Sequence, residues 1–297
     1  MDKLNVVLCL ITDENDYQRH QAAEAEATAR RLGLNLRIFY AGNDAVEQSQ
    51  QLLKVIQDGN RHTDAILVEP VGTGMPQVAA AAIRTGISWV VMNRDVTYLP
   101  DLRKNSAAFA FSVSTNNEEV GKLQGRQFGA LLRGGGSVLY LEGPTTSTAA
   151  RMRSLGMKST KPDRVDVKTL KGDWTKESGH RAITSWLRLS TSRQLHVGLV
   201  SAQNDAMAMG ARAAFQELVN AEDRQSWLAM PFTGCDGLPD TGKAWVNQKL
   251  LAATVVAPAL TPTALELVVK ATQTKTQPPE CTLITPSSYP SLEELSR

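Results

Sequence analysis

The segment that decides the fold runs from Leu199 to Phe215 and reads LVSAQNDAMAMGARAAF. An apolar run ends here, three polar residues follow, and an alanine-rich stretch of high helix propensity continues. This pattern predicts a strand, a polar turn and a helix. In a parallel sheet such a turn lies at the carboxyl edge, where open α/β folds bind ligands. The simpler interpretation of Asn204 and Asp205 is helix N-capping, but similar polar turns follow several other predicted strands.

Composition and charge narrow the class of protein. The chain has 297 residues, enough for two domains that each bury a core, and 42% hydrophobic with 21% charged residues is typical of a globular protein. A formal net charge of +2 is nearly balanced, which argues against a nucleic-acid or anionic-membrane partner. No run approaches the roughly 18 apolar residues of a membrane span. The amino terminus shows no secretory leader, so we expect either a leader that was removed or a cytoplasmic protein.

Cysteine and histidine positions offer no support for a metal site. Cys9, Cys235 and Cys281 lack metal-ligand spacing, and three cysteines cannot all pair with one another. Cys9 and Cys235 lie in apolar runs, where a thiol packs as a small hydrophobic group. The histidines are equally dispersed, so we expect no metal, no cofactor and no nucleophile–histidine pair; they are His20, His62, His180 and His196.

Strand and helix patterns alternate twice along the chain. The first series has predicted strands at 4–11, 34–40, 65–68, 88–92 and 109–113, with helices at 18–32, 44–57 and 75–85. The second has strands at 137–141, 165–170, 196–200 and 251–256, with helices at 117–132, 148–157, 176–189, 205–215, 242–248 and 260–272. The tail from Thr276 reads as turn-rich. This alternation predicts an α/β fold with two doubly wound parallel sheets, and no phosphate-binding glycine motif accompanies it.

Polar and aromatic side chains collect at the predicted carboxyl edges of both series. The first contributes Asn15, Tyr17, Glu69, Asn93 and Arg94, and the second Arg153, Trp174, Asn204 and Asp236. Carboxylates, amides and guanidinium groups pair with sugar hydroxyls, while aromatic rings pack on sugar C–H faces. Because the two arginines offset the two carboxylates, a neutral ligand is favoured over an anion.

Each of these residues also has an ordinary structural interpretation. Trp174 fits a core position, Arg94 and Arg153 fit surface ion pairs, and Asp236 with its following glycine fits a simple turn. Glu69 is equally well an unremarkable loop acid. The prediction of a site therefore depends on their conjunction.

Several segments in order along the chain resemble type I periplasmic binding proteins, in particular the sugar-binding group close to ribose-binding protein, and the effector domains of lactose-repressor-type regulators. They are Asn93-Arg94, AARMRSLG at 149–156, AQNDAMAMG at 202–210, GCDG at 234–237 and LLAAT at 250–254. The resemblance covers nearly the whole chain. It implies two lobes joined by three crossing strands that close on a ligand by hinge bending.

The resemblance also implies lobe boundaries and residue roles. The first lobe would comprise residues 1–115 and 258–280, and the second 116–257 and 281–297. Asn15 and Tyr17 match the loop that touches the sugar, and Arg94 and Arg153 match arginines that grip its oxygens. Trp174 matches an aromatic residue that stacks on the sugar. Asn204 matches an amide of the site, and Asp236 matches a carboxylate that holds two hydroxyls.

Four positions depart from the pattern of that family. Asn93 stands where an aspartate usually precedes the arginine, and Glu69 where a smaller amide is usual. Gln18 replaces a second aromatic, and Ala257 replaces a glutamine that often reaches the ligand. Because such positions decide which hydroxyl pattern is accepted, we expect a pentose other than ribose, a hexose or a polyol.

The implied function is a non-catalytic receptor for a small neutral carbohydrate. Its partner would be the membrane permease of an ABC importer. The resemblance also implies that the protein is a monomer and that it works in the periplasm. The alternative is a ligand-sensing effector protein without its own DNA-binding head, since no helix-turn-helix segment precedes Leu4; such regulators resemble dimers. An enzyme is the weakest alternative, with Glu69 and Asp236 as a glycosidase-like acid/base pair.

Overall fold

The computed structural model describes residues 3–72, 75–104, 108–189 and 195–297. Met1, the residue on which the expectation about a leader rests, lies outside the described residues. The chain forms two compact α/β units. It passes from one unit to the other three times, after Thr115, Pro258 and Ile284. The first unit comprises Met1–Thr115 and Ala259–Ile284, and the second Asn116–Pro258 and Thr285–Arg297.

The first unit is a six-stranded sheet with helices between its strands. Numbered along the whole chain, its strands are β1 (Asn5–Leu10), β2 (Asn35–Tyr40), β3 (Ala65–Val68), β4 (Ser88–Met92), β5 (Ala110–Thr115) and β11 (Cys281–Ile284). Its helices are α1 (Asp16–Leu32), α2 (Ala45–Gln57), α3 (Pro76–Arg84), α4 (Leu99–Leu102) and α11 (Thr261–Thr274). The strand order is β2-β1-β3-β4-β5-β11, and all neighbours run parallel.

Both faces of this first sheet are buried, which explains the continuous apolar strands. Along β1, Val7 and Cys9 pack into one core cluster with α2 and α3. Val6, Leu8 and Leu10 pack into another cluster with α1 and α11 on the opposite face. Side chains of a strand alternate between faces, so a strand covered on both sides needs apolar residues throughout.

The second unit repeats this arrangement. Its strands are β6 (Gly136–Glu142), β7 (Val165–Lys171), β8 (Val197–Ala202), β9 (Phe232–Asp236), β10 (Ala253–Val256) and β12 (Ser287–Tyr289). Its helices are α5 (Asn117–Leu131), α6 (Thr148–Thr160), α7 (Lys176–Leu187), α8 (Asp205–Gln216), α9 (Ala221–Ala229), α10 (Ala244–Asn247) and α12 (Leu292–Leu295), with a π-helical turn over Pro239–Lys243. The order is β7-β6-β8-β9-β10-β12, and only β12 runs antiparallel to its neighbour.

The carboxyl-terminal tail differs from its predicted turn-rich character. Residues 281–284, which the family resemblance places in the second lobe, form β11 and pair with β5 of the first sheet. Residues 287–289 form β12 on the edge of the second sheet. Both are short edge strands with half-exposed side chains. Backbone hydrogen bonds pair them with their neighbours, so their sequences do not show the apolar pattern of a buried strand. Helix α9 was also missed, because none of its residues is buried.

Two further expectations concern burial. Cys9 and Cys235 are fully buried, as predicted, and burial raises the pKa of each thiol to about 12. Within the residues that the structure describes, no helix has both the length and the apolar character needed to cross a bilayer.

Helices α5 and α6 of the second unit approach each other through glycines. A β-carbon at Gly121 of α5 would overlap the carbonyl oxygen of Arg153 in α6, and one at Gly156 would overlap the carbonyl oxygen of Glu118. These obstacles are backbone atoms, which cannot rotate aside. The close approach therefore sets the position of the helix that carries Arg153.

We predict that Gly121→Ala lowers the free energy of unfolding by about 1–3 kcal/mol through overpacking, although alanine favours a helix over glycine by about 1 kcal/mol. Gly129→Ala is the matched control in the same helix, because its β-carbon would meet side-chain atoms of Pro162, Cγ at 3.1 Å and Cδ at 3.6 Å, and no backbone atom among the described residues. Urea unfolding of both variants checks this. Equal stabilities of the two variants would show that the helices separate without cost.

Candidate functional site

The carboxyl edge of each sheet carries the predicted polar side chains. In the first sheet β1 lies between β2 and β3, and in the second β6 lies between β7 and β8. Chain connections diverge at these points, which leaves the crevice where doubly wound folds bind ligands. The first unit places Asn15, Tyr17, Glu69, Asn93 and Arg94 after β1, β3 and β4; the second places Arg153 on α6 and Trp174, Asn204 and Asp236 after or at the ends of β7, β8 and β9.

Glu69 is the centre of the polar group in the first unit. Its side chain is 2% exposed, and its Oε2 accepts a hydrogen bond from Gln18 Nε2 at 2.8 Å. Its Oε1 accepts one from Asn93 Nδ2 at 3.0 Å and pairs with Arg94 Nη1 at 3.2 Å. A buried carboxylate requires such compensation, and here an arginine and two amides provide it. Glu69 is therefore not a solvated loop acid.

Two glutamines, neither of them among the predicted site residues, hold this group in place. Gln48 Nε2 donates to the Glu69 carbonyl at 3.0 Å, and Gln48 Oε1 accepts from the Val71 amide at 2.8 Å. Gln18 Oε1 accepts from the Ile11 amide at 3.1 Å. The sequence marks Gln18 only as a departure from an aromatic, and Gln48 lies in a helix without any motif.

Asn93 and Arg94 leave β4 through an unusual backbone conformation. Asn93 has a φ of 54°, in the left-handed region that asparagine tolerates better than most residues. Its side chain is 8% exposed. Arg94 Nη1 donates to the Asn93 carbonyl at 2.9 Å, so the guanidinium is held beside Glu69 rather than extended into solvent.

Asn15 and Tyr17 form the start of α1. Asn15 Oδ1 caps the helix by accepting from the Tyr17 and Gln18 amides at 2.8 and 3.3 Å. Its Nδ2 group is not used by the cap. The Tyr17 side chain is buried rather than displayed as an open aromatic face.

Arg153 and Trp174 interact directly in the second unit. Arg153 is 6% exposed; its Nε donates to Asn117 Oδ1 at 2.9 Å, and its Nη1 donates to the Gln203 carbonyl. The guanidinium lies 5.5 Å from the centre of the Trp174 ring, within cation–π range. A β-carbon at Gly143 would overlap that ring. Arg153 is thus a buried residue and not a surface ion-pair partner.

Asn204 serves as a cap and also fixes the tryptophan loop. Its Oδ1 accepts from the Met207 amide at 2.9 Å, which confirms the N-capping interpretation. Its Nδ2 donates to the Trp174 carbonyl at 2.8 Å. The neighbouring Gln203, fully buried, accepts from the Gly143 amide at 2.9 Å through Oε1. These two residues together hold the loops that follow β6 and β7.

Asp205, the first residue of α8, carries a buried carboxyl group close enough to Asp236 to feel its charge. It is 2% exposed, and it accepts hydrogen bonds from the Gly237 amide at 2.8 Å and Thr254 Oγ1 at 2.7 Å. Side chains at Gly234 or Gly242 would overlap its carboxyl oxygens. Asp236, at the end of β9, has a φ of 116°. The capping interpretation of Asp205 is therefore wrong, because its side chain holds the turn that follows Asp236 instead.

Burial raises the pKa of Asp205 well above its ordinary value, and the nearby Asp236 carboxylate raises it further. Across 3–72, 75–104, 108–189 and 195–297, no group of three or more His, Cys, Asp or Glu side chains is placed to hold a metal ion. A second carboxylate of this unit, Glu142, forms an ion pair with Lys171 and accepts a hydrogen bond from Ser154 Oγ.

Comparison with known proteins identifies the family. A family model described as "Periplasmic binding protein domain" matches residues 6–275. The chain belongs to this family. The fold agrees with that of an ABC transporter periplasmic solute-binding protein from Actinobacillus succinogenes 130z with bound D-allose, at a TM-score of 0.83 and 20% identity over 99% of both chains.

Curated relatives of this periplasmic binding protein are more similar in sequence. It is 31% identical over 191 residues to a putative rhizopine-binding protein of Rhizobium meliloti, which is 62% of this chain and 58% of that protein. It is 28% identical over 205 residues to a xylitol-binding protein of Mycolicibacterium smegmatis, which is 67% of this chain and 52% of that protein. Both matches thus span little more than half of the relative's length.

We predict that Asp205→Asn changes how stability depends on pH. Because the pKa of Asp205 is raised in the folded state, the folded protein holds this proton more tightly than the unfolded chain. Its contribution to the free energy of unfolding is complete below the ordinary pKa of 3.8 and is lost as the pH rises through the folded-state pKa. Asparagine cannot titrate, and its amide can still accept from Gly237 and donate to Thr254.

The variant should therefore gain stability relative to the wild type as the pH rises above the ordinary pKa of 3.8, measured by urea unfolding at a series of pH values. Asp240→Asn is the control, because Asp240 is exposed on the adjoining π-helical turn. A stability difference for Asp205→Asn that stays constant or shrinks with rising pH would contradict the protonated, buried carboxyl group.

Proposed function

We propose that this periplasmic binding protein is a non-catalytic receptor for a small neutral carbohydrate, a monosaccharide or a polyol. The observation that carries the proposal is the mixture of groups at the two carboxyl edges, where arginine, amide and carboxylate side chains are fixed beside an aromatic ring. Sugar hydroxyls donate and accept together, so they need donors and acceptors side by side. The nine residues predicted from the sequence are the proposed contributors.

The balance of charge supports a neutral ligand. In the first unit Arg94 is offset by Glu69 at 3.2 Å. In the second, Arg153 donates to Asn117 and Gln203 and lies against the Trp174 ring. The positive charge of Arg153 and the negative charge of Asp236 both act on the Asp205 carboxyl group in the same unit. A ligand with a net charge would lack a counter-charge of its own at either edge.

The relatives favour a carbohydrate or polyol over other neutral solutes. One is named for rhizopine and another for xylitol, and solved structures of the same fold hold D-allose and myo-inositol. We infer that the cargo comes from this chemical class, and that the protein works in the periplasm and delivers its cargo to the membrane permease of an ABC importer.

Catalysis is not part of the proposal. Among the described residues, the side-chain partners of the Glu69 carboxylate are hydrogen-bond donors, so its oxygens act as acceptors that hold Gln18, Asn93 and Arg94. The sensing alternative differs in assembly. Importer receptors act as monomers, so light scattering after gel filtration should give a mass near 32.3 kDa, whereas a dimer would favour the sensor.

The direct test is a thermal-shift screen against D-ribose, D-allose, D-galactose, L-arabinose, xylitol and myo-inositol. A ligand present at 100 times its Kd adds roughly 2.7 kcal/mol to the free energy of unfolding, which raises the melting temperature clearly. We expect at least one of the six to do so. A melting temperature unchanged by all six would count against a simple carbohydrate receptor.

Asp236→Ala should weaken binding of the best panel sugar by about 100-fold, because it removes a carboxylate expected to accept two hydroxyls. The fold should persist, since Asp205 still holds the Gly237 amide. Asp240→Ala, which removes an exposed carboxylate nearby, is the control. Calorimetry gives the affinities, and an unchanged affinity for Asp236→Ala would remove this residue from the site.

Trp174 should report binding through its fluorescence if its ring meets the sugar. The sequence has five tryptophans, so the assignment needs Trp174→Phe. We expect this variant to lose most of the sugar-induced change in emission. We expect Trp227→Phe to keep it, because the half-buried ring of Trp227 stacks on the buried Phe215 of the same unit. A full signal from Trp174→Phe would place the change at another tryptophan.

A further inference from the structure

We propose that Glu69 is a positioning residue that does not touch the sugar, and that it turns Asn93 so that a neutral amide oxygen accepts a hydroxyl of the ligand. This inference rests on the proposed function and specifies how the edge of the first unit selects its ligand. It assigns to Glu69 an indirect role in place of the direct contact expected from the sequence.

The carboxylate of Glu69 is already occupied by protein donors. Gln18 takes Oε2, while Asn93 and Arg94 share Oε1, at 2.8, 3.0 and 3.2 Å respectively. The side chain is also 2% exposed. Three of its roughly four acceptor positions are taken and almost none of its surface is open to a ligand, so the carboxylate supports its neighbours rather than receiving the sugar.

The same carboxylate dictates which way the Asn93 amide faces. An ionised carboxylate only accepts hydrogen bonds, so the NH₂ group of Asn93 must point to Glu69 and its Oδ1 to the opposite side. Asn93 Oδ1 is buried and has no hydrogen-bond partner among the described residues. An unpaired buried acceptor is unfavourable, and a hydroxyl group of the ligand would satisfy it.

Arg94 provides a donor next to this acceptor. Its bonds to the Asn93 carbonyl and to Glu69 both involve Nη1. Among the described residues its Nη2 group has no hydrogen bond, so this group can donate to a ligand oxygen. An acceptor beside a donor matches two adjacent hydroxyls, or a hydroxyl beside a ring oxygen. Because the negative charge sits behind Asn93 on Glu69, the ligand meets a neutral acceptor, and this favours a hydroxyl over a charged amine.

A charge-swap cycle tests this arrangement. Glu69→Gln places an amide NH₂ among three donors, and the least costly repair is a flip of Asn93. Gln18 resists flipping because its Oε1 holds the Ile11 amide, whereas Asn93 Oδ1 loses no partner. The flipped Asn93 offers a donor where the sugar needs an acceptor, so affinity should fall about tenfold or more.

Asn93→Asp should weaken binding by a similar factor at pH 8, because two carboxylates then face each other and cannot both stay ionised. The double variant Glu69→Gln/Asn93→Asp restores one carboxylate and one amide with their places exchanged. Its affinity should return to within about threefold of the wild type. Asp95→Asn, an exposed acid on the same loop, is the control and should bind like the wild type.

Calorimetry would use the panel sugar that gives the wild type its largest thermal shift. Recovery by the double variant supports the inference; a double variant as weak as the sum of both single changes overturns it and makes Glu69 a direct ligand contact. The free energies of unfolding without sugar provide a separate readout, since the swap should rescue stability as well. If no panel sugar binds the wild type, the proposed function fails, while additive stabilities would still overturn the inferred network by themselves.

Discussion

Each unit depends on one buried carboxyl group at the carboxyl edge of its sheet. Glu69 in the first unit and Asp205 in the second are both 2% exposed, and burial of such groups is costly unless hydrogen-bond donors surround them. Glu69 is met by an arginine and two amides. Asp205 is met by a backbone amide and a threonine hydroxyl. The donors that bond to these two carboxyl groups are held in fixed positions by those hydrogen bonds. They are a backbone amide and side chains at the carboxyl edge of each sheet.

This constraint explains why rigid packing and polar chemistry occur together in the second unit. Gly234 and Gly242 leave the space that the carboxyl group of Asp205 occupies, and Gly121 lets α6 come close enough to set Arg153. Arg153 in turn lies against the Trp174 ring. The glycines of the framework therefore determine the positions of Arg153 and Asp205. Side chains that are already held in place lose little conformational freedom when a ligand binds.

The sequence predicts the alternation of strands and helices well, because buried parallel strands are continuously apolar and polar turns follow them. It also predicts which residues lie at the two edges, since all carboxyl ends of a parallel sheet share one edge. It does not predict Gln48 or the partners of Asp205, because these contacts join distant residues without a motif. The departures at Glu69 and Asn93 look independent in the sequence. In the structure the two side chains are joined by a hydrogen bond. The amide at position 93 therefore supplies the donor that the carboxylate at position 69 requires, and the two departures from the family pattern compensate each other.

Calorimetric titration of the wild-type protein with the panel sugar that most raises its melting temperature tests the receptor role most directly. A saturable exothermic isotherm with one sugar per chain, lost in Asp236→Ala and kept in Asp240→Ala, is the expected result. Absence of saturable heat with that sugar, or an isotherm that both variants share, would contradict a carbohydrate site that includes Asp236.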